Sequence, residues 1–293
     1  MIHRVKHIQY PAAKEKKMIL VTGANGYLGQ GIVKQLLNSG MDVTAVSRHS
    51  DHIDKRATIV TCDIFNIEEP YVYFGKPDIL LHLAWEDGFS HYSDYHLSEL
   101  PKHCSFIKKM AENTDIKTIC VMGTMHEIGL WEGMVDENTP CNPVTPYGIS
   151  KNELRKETEK ICRENGVCFQ WLRGFYIIGN NPCGNSVFSK ISKAALDGEK
   201  SFPFTNGQNQ FDFLDYTVFC NYVAKAVCQD KVNGTINISS GVPKTISQCV
   251  EQYIRENNYA IKLEYGAFPD RAYDSKRIWG DNTKISEIAN DNP

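Results

Sequence analysis

No apolar run in this chain approaches the roughly 20 residues that a membrane-crossing helix needs. The stretch from Met1 to Lys17 holds no signal-peptide core. An excess of one charge sign is missing too: the formal net charge is -3, which gives no general pull toward nucleic acid or an anionic membrane. Cys-x-x-Cys pairs are absent although there are ten cysteines. They are scattered, and several lie inside apolar runs such as Ile119-Cys120-Val121 and Val167-Cys168-Phe169. That pattern argues against a disulfide framework and a zinc site. It fits buried reduced thiols in a cytoplasmic protein, with no metal expected. Internal repeats and low-complexity segments are also lacking.

What is present suits one large folded body: of 293 residues, 42% are apolar and 23% charged, enough for a sizeable core. Residues 1–16 are basic, interrupted by Pro11, and read as a leader. Short apolar strands follow at Met18–Val21, Asp42–Val46, Thr58–Cys62, Asp78–Ala84 and Thr118–Met122, separated by helical patterns. This alternation predicts right-handed βαβ units and an α/β, doubly wound parallel sheet covered on both faces. Val167–Ile178 reads as a sixth strand and Thr235–Ser239 as a seventh that returns to the sheet. A dinucleotide-binding domain is expected over 17–174, and a smaller, discontinuous α/β lobe for substrate over 175–293. Gly, Asn and Pro clusters in that lobe separate short helices near 216–229 and 245–257.

Gly23, Gly26 and Gly29 follow the first strand and open a helix. Glycines placed there permit a tight turn, close backbone approach to a pyrophosphate and close helix–strand packing, and the helix N-terminus favours the anion. The G-x-x-G-x-x-G spacing departs from G-x-G-x-x-G, but its place after the first strand of a βα series points to a dinucleotide. The second strand ends Ala45-Val46-Ser47-Arg48-His49, without the carboxylate that commonly accepts the ribose hydroxyls of NAD. Ser47 can donate to a 2′-phosphate and Arg48 can pair with it or stack on adenine. NADP(H) is therefore favoured, with NAD(H) possible.

Tyr147-Gly-Ile-Ser-Lys151 opens an exposed helical pattern and puts a phenol and an ammonium on one helix face. A neighbouring cation favours tyrosinate. A fall of the phenol from ~10 to ~7 corresponds to roughly 4 kcal/mol, within the reach of Lys151 and a bound cationic cofactor.

Thr22-Gly-Ala-Asn-Gly-Tyr-Leu-Gly29, Asp63, His82-Leu-Ala84, Thr124 and Tyr147-x-x-x-Lys151 together resemble the extended short-chain dehydrogenase/reductases, the sugar-nucleotide epimerase/dehydratase group, over roughly residues 17–285. The resemblance implies a Rossmann-type fold with a cofactor held by Gly23, Asn25, Gly26, Tyr27, Leu28, Gly29, Asp63, Ile64, Leu83, Ala84 and Lys151. It also implies a catalytic set. Thr124 would orient the substrate oxygen, Tyr147 would be the general acid in reduction or base in oxidation, and Lys151 would lower the tyrosine pKa and hold the nicotinamide ribose. Trp85, Met125, His126, Asn185, Phe204 and Arg271 are the implied substrate contacts.

Two departures narrow the activity. The 4,6-dehydratases of this group carry Asp-Glu after the Thr, whereas here Met125-His126 stands there, and Glu127 is one step out of register. Where relatives often have Arg-Asp-Phe, this chain has Phe211-Asp212-Phe213, so Arg271 becomes the expected diphosphate contact. Arg173 resembles a residue at the joint between domains. The resulting expectation is an NADP(H)-leaning reductase of a nucleotide-linked 4-keto-6-deoxyhexose, for surface glycan synthesis and commonly a homodimer. An NAD-dependent 4-epimerase is the close rival. A non-catalytic dinucleotide-binding regulator is the alternative from another class, and a 3,5-epimerase/reductase has less support.

Overall fold

The computed structural model describes residues 17–112, 114–179, 186–270 and 274–291. Along the first half run β1 (Met18–Thr22), α1 (Tyr27–Asn38), β2 (Asp42–Ser47), β3 (Thr58–Thr61), α2 (Pro70–Tyr73), β4 (Ile79–His82), α3 (Tyr95–Ala111) and β5 (Thr118–Thr124). There follow β6 (Gly133–Val135), α4 (Pro146–Asn165), β7 (Cys168–Gly174), β8 (Tyr176–Ile178), α5 (Val187–Leu196), β9 (Ser201–Pro203) and β10 (Gln210–Asp215). The chain continues with α6 (Tyr216–Cys228), β11 (Gly234–Ile238), β12 (Pro243–Thr245), α7 (Ile246–Glu256), β13 (Lys262–Glu264), β14 (Arg277–Gly280) and α8 (Thr283–Asn290).

Seven strands form a wholly parallel sheet in the order β11-β7-β5-β4-β1-β2-β3. Successive side chains of a strand point to opposite faces, and β1 shows what that requires here. Ile19 and Val21 enter one core with Ile32 and Leu36 of α1, Phe219 and Val223 of α6 and Ile285 of α8. Leu20 enters the other, with Phe106 and Ile107 of α3 and Leu154 and Ile161 of α4. Strands apolar on both faces demand helices on both faces, which βαβ crossovers provide. No helix among the described residues is long and apolar enough to cross a membrane.

The run expected as one sixth strand serves two sheets. β7 lies between β5 and β11, while β8, past a break at Phe175, pairs in parallel with β10. Phe175 N–H donates to the Ile238 carbonyl at 3.4 Å and its ring enters a third core. That core joins Phe211 and Phe213 of β10, Ile278 of β14, Phe188 of α5 and Val250 of α7 to Met125 and Ile128, just beyond β5. The second sheet, in the order β12-β10-β14-β6, is therefore packed onto the C-terminal end of β5. The nine described cysteines are free thiols.

Candidate active site

β1 ends at Thr22 and the chain turns through Gly23, whose φ of +69° lies in the left-handed region. A Cβ there would stand 2.7 Å from the Ala84 nitrogen, and one on Gly29 would stand 2.4 Å from the Gly23 carbonyl oxygen. Glycine is thus required by backbone conformation and by contact. Gly26 is the N-cap of α1, which has no side-chain cap and no acid in its first turn. Its first N–H groups and the positive end of its dipole are left for an anion, so the loop fits a dinucleotide pyrophosphate. Asn25 ties the loop down: its Oδ1 accepts from His52 N–H at 2.9 Å and its carbonyl from the Gln30 side chain at 2.8 Å. The Tyr27 carbonyl accepts from the Tyr216 hydroxyl at 2.5 Å, and the Tyr27 phenol, pushed up by burial, points at Gly179. Leu28 packs on the first core.

The other cofactor candidates stand at the same C-terminal end of the sheet, where ligands bind in open α/β folds. Leu83 N–H donates to the Thr22 carbonyl at 3.2 Å and Ala84 N–H to the Thr22 hydroxyl at 3.4 Å. Asp63 caps a short 3-10 turn by accepting from Phe65 N–H at 3.0 Å, which buries Ile64. Both residues line a cleft against α3 with Phe65, Pro101 and Lys102. Ser47 ends β2 and its carbonyl accepts from Cys62 N–H. Arg48 is ion-paired with Glu86, which follows β4, and Glu86 also accepts from the Tyr95 hydroxyl at 3.0 Å. A carboxylate therefore stands beside the cation after all, contributed by the loop after β4 and not by the end of β2, where sequence reasoning looked for it.

Tyr147 is presented by the N-terminus of α4. Thr145 caps that helix through Gly148 N–H at 3.2 Å, Pro146 occupies the first turn, and Tyr147 N–H donates to the His91 carbonyl at 3.1 Å. The Tyr147 ring is stacked on His91, with centroids 5.1 Å apart, and flanked by His96, His126 and Trp85. Thr124 stands close enough to the phenol to favour its ionised form. Lys151 is buried, donates from Nζ to the Met122 carbonyl at 3.1 Å, and lies over the Trp85 ring. Trp85 is in turn held by its indole N–H donating to His96 Nδ1 at 3.2 Å and by stacking on His103.

In this structure the Tyr147 phenol stands above its ordinary value, and Lys151 is not among the groups that shift it. Burial pushes the phenol up to about 12, Thr124 draws it down, and the Glu127 carboxylate raises it further. Burial also pulls Lys151 down to about 7, opposed by Glu127. Both shifts have one origin: a dry site penalises whichever form is charged.

Among the substrate candidates, Met125 and His126 line a pocket with Val144, Thr145, Tyr176 and Asp274. The His126 ring lies 4.2 Å from that of His91. Phe204 does not open onto this pocket; it is buried in the third core against Tyr265. Asn185 and Arg271 lie outside the described residues. Two residues passed over in the sequence belong to the site. His91 gave no signal beyond its place in a loop. Glu127 is fully buried, and its signal was a second charge, Arg173, within an apolar strand. Arg173 Nε donates to Glu127 at 2.6 Å, and its NH1 donates to the Asp136 carbonyl and to Asn237.

This glycine loop, parallel sheet and Thr–Tyr–Lys arrangement have a counterpart among known families: the profile of the NAD dependent epimerase/dehydratase family matches residues 19–239. The chain belongs to that family. It is an enzyme of the extended short-chain dehydrogenase/reductase type that uses a pyridine nucleotide. It is 40% identical over 272 residues to the dTDP-6-deoxy-L-talose 4-dehydrogenase (NAD(+)) of Aggregatibacter actinomycetemcomitans, covering 89% of this chain and 98% of that protein. Its fold matches the UDP-N-acetylglucosamine 4-epimerase of Methanobrevibacter ruminantium with a TM-score of 0.82 at 20% identity, over 94% of this chain and 93% of that one. The UDP-glucose 4-epimerase of Thermotoga maritima follows at 0.79 and 22%, over 93% and 92%. At such identities these two solved structures speak for the fold alone.

Proposed function

We propose that this enzyme interconverts the 4-hydroxyl and 4-ketone of a nucleotide-linked 6-deoxyhexose, the sugar being carried on dTDP. A 4-dehydrogenase and a 4-ketoreductase are the same reaction read in opposite directions, so the 40% identical relative supports the reductase reading. The observation that carries the proposal is the convergence of three side chains: Thr124 close enough to draw the Tyr147 phenol down, and Lys151, buried on the same helix as Tyr147, donating to the Met122 carbonyl.

The nicotinamide, when bound, supplies or accepts the hydride at C4. Tyr147 gives its phenolic proton to the C4 oxygen in reduction and takes it back in oxidation. Thr124 orients that oxygen, and Lys151 holds the nicotinamide ribose and offsets charge on the phenol. Elimination of water is disfavoured, because Met125 and His126 stand where a dehydratase needs carboxylates and Glu127 is consumed by Arg173. For the cofactor, Ser47 and Arg48 suggested NADP(H), but Arg48 is engaged by Glu86. That pair, with the NAD(+) use of the relative, favours NAD(H).

A panel of nucleotide-linked 4-keto-6-deoxyhexoses, assayed with NADH and NADPH by nicotinamide absorbance, tests this. Turnover of a dTDP-linked ketone with NADH, abolished in Tyr147→Phe while cofactor binding persists, is the expected result. Stoichiometric NAD released from the denatured protein, with no net NADH oxidation, would instead identify a 4-epimerase.

A further inference from the structure

We propose that Glu127 is a positioning residue of this active site: clamped by Arg173 and Trp171, its buried carboxylate fixes the backbone of Thr124 and sets a negative charge behind Tyr147 and Lys151. The inference rests on the function proposed above and concerns how that site is tuned.

A carboxylate with 0% exposure is retained only when hydrogen bonds replace the water it lost. Glu127 has them from three directions. Arg173 Nε donates at 2.6 Å, Trp171 Nε1 donates to both oxygens at 2.9 Å, and Thr124 N–H donates to Oε2 at 3.4 Å. The last bond closes a capping box in which the Thr124 hydroxyl accepts from the turn that carries Glu127. Thr124 is thus held at both its backbone and its side chain. Space for the clamp is reserved by Gly123, where a Cβ would meet Trp171 Nε1 at 2.1 Å.

The same charge acts on both proton-handling groups. It raises the Tyr147 pKa and favours the ammonium of Lys151. Among the described residues, the rings of His91, His96 and His126 also face Tyr147, Lys151 lies one turn further along α4, and Arg173 faces Glu127 itself. A phenol kept protonated beside a charged lysine is the form that donates a proton to a carbonyl oxygen. A clamp that served the fold alone would leave the pH dependence of turnover untouched.

The test uses full-length Glu127→Gln, Glu127→Asp and the double variant Glu127→Gln with Arg173→Met, which removes both buried charges together. NADH-dependent reduction of a dTDP-linked 4-keto-6-deoxyhexose is followed against pH, with thermal midpoints alongside. Glu127→Gln should move the alkaline fall in kcat/KM down by about one pH unit, and the double variant, which also loses the opposing Arg173 charge, should move it the same way by less. Glu127→Asp keeps the charge but shortens the reach, so its alkaline fall should stay in place while kcat drops by about 100-fold. An unmoved pH profile in either neutral variant overturns the proposal, as does failure of both to fold, which would assign the pair to the fold alone. Tyr147→Phe separates the two levels. If it abolishes turnover while Glu127→Gln leaves the profile in place, only the role of Glu127 fails; if it leaves turnover intact, the proposed function fails.

Discussion

The Lys151 ammonium stands 4.0 Å from the centroid of the Trp85 ring while donating to the Met122 carbonyl at 3.1 Å. The aromatic face and the carbonyl dipole both favour the charged lysine, and burial, which dominates, opposes them. Trp85 therefore bears directly on the charge of Lys151. Trp85→Leu should cost about 1–2 kcal/mol of the interaction holding the ammonium, lowering kcat/KM by about tenfold. Its pH profile should show Lys151 losing its proton at lower pH than in the parent. Parent-like kinetics in a folded variant would contradict this role.

Glu86 is ion-paired with Arg48, the cation next to Ser47 in sequence. In Glu86→Gln, Arg48 is released, and the ratio of kcat/KM for NADPH over NADH should rise by about tenfold, the worth of one charge-assisted contact. Affinity for 2′,5′-ADP relative to AMP, measured calorimetrically, should rise in parallel. A ratio unchanged in both measurements would sink the assignment.

Gly123→Ala forces a Cβ to within 2.1 Å of the Trp171 indole nitrogen, in a strand with no room to yield. Overpacking of that kind costs about 1–3 kcal/mol, read as a lower urea midpoint, and it pushes the Trp171 N–H away from Glu127. Gly88→Ala, whose added Cβ meets nothing within 4 Å, should leave the midpoint unchanged.

His82 and His103 share a 2.8 Å hydrogen bond in the core, and His82 shares another with the Thr22 hydroxyl. Burial holds the two imidazoles neutral, with pKa values down to about 3 and about 2. Below pH ~6.5 the unfolded chain binds protons that the folded chain refuses. Stability should therefore fall as pH drops from about 6.5 toward 3, by up to about 1.4 kcal/mol per pH unit for each group. His103→Gln, though less stable at neutral pH, should show a shallower fall of unfolding free energy over this range. An equal slope would show that other groups carry the acid sensitivity.

Much of this architecture could be read along the chain. The βα alternation, the three glycines after β1 and the four-residue step from Tyr147 to Lys151 are local patterns, set by strand and helix periods and by turn sterics. The helices expected near 216–229 and 245–257 appear as α6 and α7 for the same reason, with Asp215 and Thr245 supplying their caps. Other features depend on residues far apart in sequence. Glu127 and Arg173 meet from 46 positions apart, Arg48 finds Glu86 across the ends of two strands, and Val167–Ile178 divides between two sheets at Phe175. The proton affinity of Tyr147 also escaped a local reading, because a neighbour four residues away could be seen and the removal of water could not. Periodicity is written into consecutive residues, whereas burial, and the charges brought together by it, exist once the chain has packed.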